Sequence, residues 1–234
     1  LSFFECSDVL GFSTLRIALY MQCVMRVQDG SFQSVRQAWR DRQRGFSLIE
    51  ISMVTAIMML IAIIGIPAIQ AYVIENKTPR VAEEIQRFVA RLKSHTHGFG
   101  VAPYSGVNGA TLANALRSST VVSVNGSDTG ASVAHGLGGK GAAGHGVITI
   151  APQSIQGAAH GAAFAITLNH VNHAACPGVA SILQRIADVV TISGKSGSVI
   201  VKDMSREPGQ PYDALLADEQ CISGDRNTFT FTFR

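Results

Sequence analysis

Apolar residues follow two different patterns along the first hundred residues. Residues 51–74 contain no Asp, Glu, Lys, Arg or His. As a helix rising about 1.5 Å per residue, this run would extend roughly 36 Å, enough to cross a bilayer. Further along, apolar residues recur at helical spacing: Val81, Ile85, Phe88 and Leu92. The two patterns predict one long helix over residues 46–97, membrane-spanning over 46–74 and amphipathic beyond.

Two places in this helix carry residues that disfavour a regular helix. Gly65 and Pro67 are predicted to break or bend the apolar part, because proline lacks the N–H that would close a helical hydrogen bond. The alternative is a proline that a transmembrane helix tolerates. Thr78 followed by Pro79 has the form of an N-cap and a first helical position, which predicts a kink or a restart.

Residues 98–234 are predicted to form a globular head. Predicted strands cover residues 120–124, 146–150, 162–169, 189–192, 198–202 and 227–233, and predicted helices cover 110–117, 177–186 and 213–218. The last strand alternates Thr with Phe229, Phe231 and Phe233, so one face is apolar. Glycine-rich residues 130–146 predict an exposed, flexible loop. The expected fold class is α+β, with an antiparallel-rich sheet packed on the long helix.

Charge separates a basic N-terminal segment from a nearly neutral remainder. Residues 1–45 hold six Arg and four acidic residues, and residues 46–234 hold 13 Lys and Arg against 12 Asp and Glu. This balance argues against nucleic-acid binding as a primary role. The arginines before the apolar run are expected to keep that side cytoplasmic. Because the chain begins with Leu, we expect translation to start at Met21 or Met25, with residues 1–24 a gene-model extension.

The carboxylate of Glu50 stands at the start of the apolar run. An ionised carboxylate in hydrocarbon is costly unless a cation pairs with it, so an acid at this position is a functional candidate. The alternative is that Glu50 simply ends the membrane segment at the level of the lipid headgroups.

The run Gly45-Phe46-Ser47-Leu48-Ile49-Glu50 resembles the processing signature of type IV prepilins. The resemblance implies that a prepilin peptidase/methyltransferase removes a leader of residues 1–45 and methylates Phe46. Glu50 is then the fifth mature residue, and its carboxylate would meet the Phe46 amine of the same or a neighbouring helix. The implied partners are identical subunits in a helical homopolymer, an assembly ATPase and an inner-membrane platform. The implied location is the bacterial inner membrane before assembly and a surface pilus afterwards.

Two cysteines, Cys176 and Cys221, follow the expected cut. Export would favour a disulfide between them. Such a bridge would stabilise the folded head by roughly 4 kcal/mol, because it lowers the entropy of the unfolded chain. The alternative is two unrelated buried thiols. The Cys176-Pro-Gly helix start, the later cysteine and the closing Thr-Phe strand resemble type IVb pilins, including those of conjugative thin pili and toxin-coregulated pili. In that group the disulfide bounds an exposed region used for packing and display. Phe46 departs from the pattern, since it is more usual in type IVa pilins.

Seven scattered histidines offer no recognisable catalytic pattern. They stand at positions 95, 97, 135, 145, 160, 170 and 173. We therefore expect no enzyme activity, no metal and no cofactor, because such sites need mutual geometry as well as suitable residue types. The leading hypothesis is a pilus subunit for adhesion, aggregation or mating contact. The alternatives are a minor pilin or type II secretion pseudopilin, and a single-pass membrane protein with an extracytoplasmic binding or enzymatic head.

Overall fold

The computed structural model describes residues 47–96, 100–127, 130–142 and 144–234, apart from the side chain of Pro67. Gly45 and Phe46 lie outside the described residues, as do His97 and Gly98, where the long helix was expected to end. The chain divides into two compact units, residues 1–57 and 58–234. Of the first unit, the structure describes residues 47–57, which are helical from Leu48 onward.

The long helix α1 spans Leu48–Thr96. It begins where the backbone N–H groups of Glu50 and Ile51 donate to the Ser47 carbonyl at 2.9 and 3.2 Å. The helix is continuous through Gly65 and Pro67, so these residues do not end it, and a bend there stays a prediction.

The predicted restart at Thr78 is wrong. α1 continues through Thr78 and Pro79 without interruption. The Thr78 hydroxyl donates to the Ile74 carbonyl at 2.9 Å, one turn back, instead of capping a new helix. Pro79 has no backbone N–H, so it leaves the carbonyl of residue 75 without its usual helical donor.

The remaining elements form a head of three short helices and seven strands among the described residues. The helices are α2 (Gly109–Leu116), α3 (Cys176–Leu183) and α4 (Ala214–Gln220), and a 3-10 turn, His173–Ala175, precedes α3. The strands are β1 (Ser123–Asn125), β2 (Ser132–Ala134), β3 (Val147–Gln153), β4 (Ala163–Asn172), β5 (Val189–Gly194), β6 (Gly197–Asp203) and β7 (Asp225–Phe233).

All seven strands belong to one antiparallel sheet in the order β1-β2-β3-β4-β7-β5-β6. The last strand in sequence, β7, lies between β4 and β5 and therefore joins the two halves of the sheet. Its alternating phenylalanines, Phe229, Phe231 and Phe233, are all fully buried. The predicted α+β class with an antiparallel sheet is confirmed.

The C-terminal part of α1 forms one side of the head's core. Its buried residues come in adjacent or single positions that repeat about once per helical turn, which places them on one face of the helix. They are Val81, Ala82, Ile85, Phe88, Val89 and Leu92. They belong to one hydrophobic cluster with the buried sheet residues Ile166, Phe231 and Phe233. The predicted packing of the sheet on the long helix is thus confirmed.

The prediction of an exposed loop over residues 130–146 is wrong for the part around β2 and His135, whereas the described residues between 139 and 145 are irregular and mostly exposed, as predicted. This stretch contains β2, and the side chains of His135 and Leu137 are completely buried. Glycines allow the segment to pack tightly: a Cβ on Gly138 would lie 2.6 Å from the His170 carbonyl oxygen. The glycine-rich composition therefore permits close backbone packing here, whereas it had been interpreted as flexibility.

Candidate functional site

The N-terminal part of α1 exposes an almost uninterrupted apolar surface. Its exposed large apolar residues are Leu48, Ile49, Ile51, Met53, Val54, Ile57, Met58, Met59, Leu60, Ile61, Ile63, Ile64, Ile66, Ile69, Tyr72 and Val73. We call these residues the apolar sleeve. The helix meets the length and hydropathy needed to cross a membrane, with a mean hydropathy of 2.4 in its most apolar window and none of that window buried.

The apolar sleeve surrounds the helix instead of forming one stripe. Five consecutive residues, 57–61, are each between 51% and 61% exposed. Because an α-helix turns once in 3.6 residues, five consecutive positions cover its whole circumference. An apolar surface of this extent needs lipid or protein around it, and no single docking face would cover it.

Glu50 is the one ionisable residue in the first turn of this helix. The carboxylate is exposed, and it lies near the helix N-terminus, where the partial positive charge of free backbone N–H groups favours an anion. The ion pairs between described residues join Arg87 to Glu84, Lys195 to Glu219, and Arg206 to Asp203. Glu50 therefore has no cationic partner within the part of the chain that the structure describes.

A second candidate region lies in the head between Cys176 and Cys221, which form a disulfide with their Cα atoms 6.0 Å apart. Cys176 is the first residue of α3, and Cys221 directly follows α4. The bridge encloses α3, β5, β6 and α4, and we call residues 176–221 the disulfide region. Closing a loop of 45 residues restricts the unfolded chain substantially.

The disulfide region rests on α1 through its first helix. A Cβ on Gly178 would lie 3.0 Å from the methyl group of Thr78, so α3 and α1 approach closely at this glycine. One turn further along α3, the Gln86 side-chain amide donates to the Ile182 carbonyl at 3.4 Å. The disulfide therefore ties α4 to a helix that already packs on α1.

Lys202 fixes the end of α3 to strand β6. Its ammonium group donates to the Gln184 carbonyl at 2.5 Å and to the Ala187 carbonyl at 2.8 Å. These carbonyls follow the helix C-terminus, where a cation is favoured. Burial lowers the pKa of Lys202 from its ordinary value, and the nearby charge of Asp188 opposes the shift. The sequence carried no signal for this contact, because it joins residues 15 and 18 positions apart.

Asn227 holds the chain just after the disulfide. This buried side chain accepts from the Ile222 N–H at 2.8 Å and donates to the Ile222 and Val171 carbonyls at 2.9 and 3.1 Å. One amide thus satisfies three backbone groups of a loop and a neighbouring strand. The sequence did contain a signal for this role. Asn227 shares the apolar face of a predicted strand with Phe229, Phe231 and Phe233, and a polar side chain on such a face needs buried hydrogen-bond partners.

The expected sites differ in what the structure describes of them. Glu50 lies in the first turn of α1 among the first residues of the apolar sleeve, and Gly65 and Pro67 lie within the same helix. Gly45 and Phe46 fall outside the described residues. No group of three or more His, Cys, Asp or Glu side chains that could hold a metal ion occurs in the described ranges.

A comparison with protein-family models matches residues 40–66 to the prokaryotic N-terminal methylation motif. The chain carries an N-terminal methylation motif. The matched range includes Gly45, Phe46 and Glu50 and extends into the apolar sleeve. A search of curated proteins finds no match for the chain.

Two solved structures are similar to the chain that carries this methylation motif. The crystal structure of a type IVb pilin from Salmonella typhi has 18% identity and a TM-score of 0.46, covering 68% of this chain and 98% of that one. The crystal structure of TcpA, a type IV pilin from Vibrio cholerae El Tor, has 15% identity and a TM-score of 0.44, covering 68% and 99%. Both TM-scores are below 0.5, so the fold described above rests on this chain's own helices and strands.

Proposed function

We propose that this chain is the precursor of a type IV pilin. A prepilin peptidase/methyltransferase cuts it between Gly45 and Phe46 and methylates the new N-terminal amine. The mature chain, residues 46–234, resides in the inner membrane and then assembles with identical chains into a surface filament. The methylation motif over residues 40–66 supports the processing step. The basic residues before the apolar run support a cytoplasmic leader.

The apolar sleeve is the observation that carries the proposal. A membrane surrounds a single helix evenly, which suits a helix exposed on all sides. A bundle of identical helices can do the same, because each helix then contacts neighbours in several directions. Head-to-tail contacts that do not close into a ring produce a filament. The sleeve can therefore exchange lipid for copies of itself, while an assembly ATPase acting through an inner-membrane platform supplies the work of extraction.

Glu50 gives that bundle its register in this proposal. Cleavage creates a positive amine on Phe46, and Glu50 supplies a carboxylate about one helical turn away. Both charges lose water when helices pack, so each stabilises the assembly only if a partner faces it. A staggered neighbour that places its Phe46 amine against Glu50 satisfies both groups.

The head then lies outside the sleeve, with the disulfide region available for contacts between subunits or for display. The Cys176-Pro-Gly start of α3, the bridge to Cys221 and the closing strand β7 support a type IVb-like subunit. Adhesion, aggregation and mating contact are the tasks that we propose for such a filament.

Replacing Glu50 tests the assembly step directly. In cells with an active peptidase, we expect Glu50→Ala to be cleaved normally but to reduce filaments sheared from the surface by tenfold or more, because breaking a buried ion pair costs about 3–5 kcal/mol. The matched control is Glu75→Ala, which removes an exposed carboxylate from the same helix beyond the uncharged run. Normal filament yield from Glu50→Ala would refute the pairing role.

The abundance of the wild-type chain in sheared filaments separates the related alternatives. A major subunit dominates the preparation, whereas a minor pilin or a pseudopilin is a trace component or is absent. A single-pass membrane protein with an independent head predicts no cleavage at Gly45 and no polymer.

A further inference from the structure

A buried histidine fastens one edge of the head's sheet. Residues 135–139, which we call the His135 turn, connect β2 to the ends of β4 and β7. The backbone N–H of His135 donates to the Gly146 carbonyl at 3.2 Å. The backbone N–H of Asn172 donates to the Leu137 carbonyl at 2.8 Å. The Gly139 N–H donates to the Asp225 carboxylate at 2.9 Å. The turn thus makes contacts with three other parts of the head.

Few residue pairs join the edge ribbon of β1 and β2 to the rest of the sheet. Strand β2 pairs with β3 through two residue pairs, Val133 with Ile148 and Ala134 with Val147. β3 and β4, by comparison, pair over six residues. A two-stranded ribbon is marginally stable by itself. Releasing the His135 turn would therefore weaken the attachment of β1 and β2 to β3, leaving the packing of α2 as their other support.

The His135 ring fits the turn only in its neutral form. Nε2 lies 2.8 Å from the Asn169 carbonyl oxygen, which can only accept, so Nε2 carries the proton. Nδ1 accepts from the Leu137 N–H at 3.0 Å, so it must be unprotonated. The residue is fully buried. Adding a proton to Nδ1 would place two donors face to face and create a buried charge.

The groups around His135 do not compensate that charge fully. Burial lowers the pKa of His135 from its ordinary value of 6.5. The hydrogen bond to the Asn169 carbonyl and the negative charge of Asp225 on β7 raise that pKa, whereas the positive charge of His170 on β4 lowers it further. His170 has a φ of +52° and lies with its ring centroid 4.2 Å from that of His145. Its Nδ1 atom is buried without a hydrogen-bond partner among the described residues.

We propose that the His135 turn is an acid-sensitive latch that opens when Nδ1 of His135 takes up a proton. The proton replaces the Leu137 N–H as the partner of Nδ1, so the turn must separate. Leu137 is completely buried, and its departure removes a core side chain from the head. The β1–β2 ribbon then detaches from β3 while β4 and β7, which pair over most of their length, stay together.

The stability of the closed turn should fall as the pH falls, because the His135 ring is neutral in the closed turn. The folded turn binds a proton less readily than the opened turn, whose histidine titrates near its ordinary value of 6.5. The stability that the neutral His135 gives the closed turn is therefore fully present above about pH 6.5 and decreases progressively below it. With one proton taken up on opening, the opening equilibrium rises by up to about tenfold per pH unit, until the pH falls below the lowered pKa of the closed state.

Amide hydrogen exchange of the full chain in detergent micelles tests the latch. As the pH is lowered from 7.5 to 5.0, and after correction for intrinsic exchange rates, we expect the opening equilibrium at the Leu137 and Asn172 amides to rise by up to about tenfold per pH unit. The Phe231 amide should stay protected. His135→Gln keeps a neutral donor and acceptor but cannot take up the proton, so its opening should not depend on pH. His160→Gln, an exposed histidine in another turn, should behave like wild type.

Two results would overturn the proposal: a flat wild-type profile, or the same pH dependence in His135→Gln. If His135→Gln fails to fold, nitrogen NMR of the wild-type ring decides instead. We expect the Nε2–H tautomer at pH 7.5 and protonation of His135 only together with exchange at Leu137. A ring that becomes protonated while the Leu137 amide stays protected would refute the latch.

Discussion

The two parts of α1 have the same backbone structure and opposite surfaces. Around residues 57–61 the large apolar side chains are exposed on every side, whereas Val81, Ile85 and Phe88 are buried against the sheet. In the second part, the chain itself supplies the partner that an amphipathic helix needs. In the first part, no residue of the described chain does. The apolar sleeve therefore needs a partner beyond the described residues, and our proposal names lipid first and identical helices afterwards.

Removing the sleeve should have the largest effect on assembly and little effect on the head. A chain that begins at residue 75 retains the whole buried stripe of α1 from Val81 onward. Of the described apolar residues that it lacks, only Ile74 packs against the core, and Ile74 is partly buried. We expect a soluble monomer whose circular dichroism melts cooperatively, as measured together with its mass in solution. An unfolded or aggregated product would mean that the sleeve supports the head and would break the comparison.

Within the head, loss of the disulfide should have the next largest effect. In the truncated head, Cys176→Ser combined with Cys221→Ser should lower the free energy of unfolding by about 4 kcal/mol, because the unfolded loop is no longer closed. Urea denaturation of the oxidised protein and the double variant measures the difference. Wild-type head reduced in the same buffer is the control and should resemble the variant. Equal stability of all three would show that the bridge does not stabilise the head.

A matched pair of substitutions sharpens the comparison at single residues. Ile85 is 1% exposed and Ile63 is 72% exposed, although both lie in α1. In the full chain in micelles, Ile85→Ala should destabilise the head by about 2–5 kcal/mol through a cavity. Ile63→Ala should change the head's unfolding by less than about 0.5 kcal/mol. Similar losses at the two positions would contradict the division of α1 into two surfaces.

The features that sequence predicted well depend on local periodicity. The uncharged run, the helical spacing from Val81 to Leu92 and the alternation of Phe229, Phe231 and Phe233 each repeat with the period of one secondary structure. Such patterns survive in the fold because the same residues must face the core at every repeat. The methylation motif was recognisable for a different reason, since its residues are adjacent in sequence.

The missed features depend on contacts between distant residues. Thr78 and Pro79 have the local form of a helix start, but packing of Gly178 against Thr78 accompanies a continuous helix. The glycines near His135 predicted flexibility, whereas Gly138 is required because the backbone of β4 leaves no room for a side chain. Lys202 and Asn227 bind carbonyl groups that only the folded chain brings near them. No local pattern encodes such contacts.

The N-terminus of the mature protein tests the central claim most directly. Intact-mass and N-terminal sequence analysis of the chain from cells with an active prepilin peptidase should show a protein that begins at Phe46 and carries one added methyl group, recovered in sheared filaments. Recovery of the chain only as an unpolymerised monomer, with Gly45 still joined to Phe46, would contradict the account.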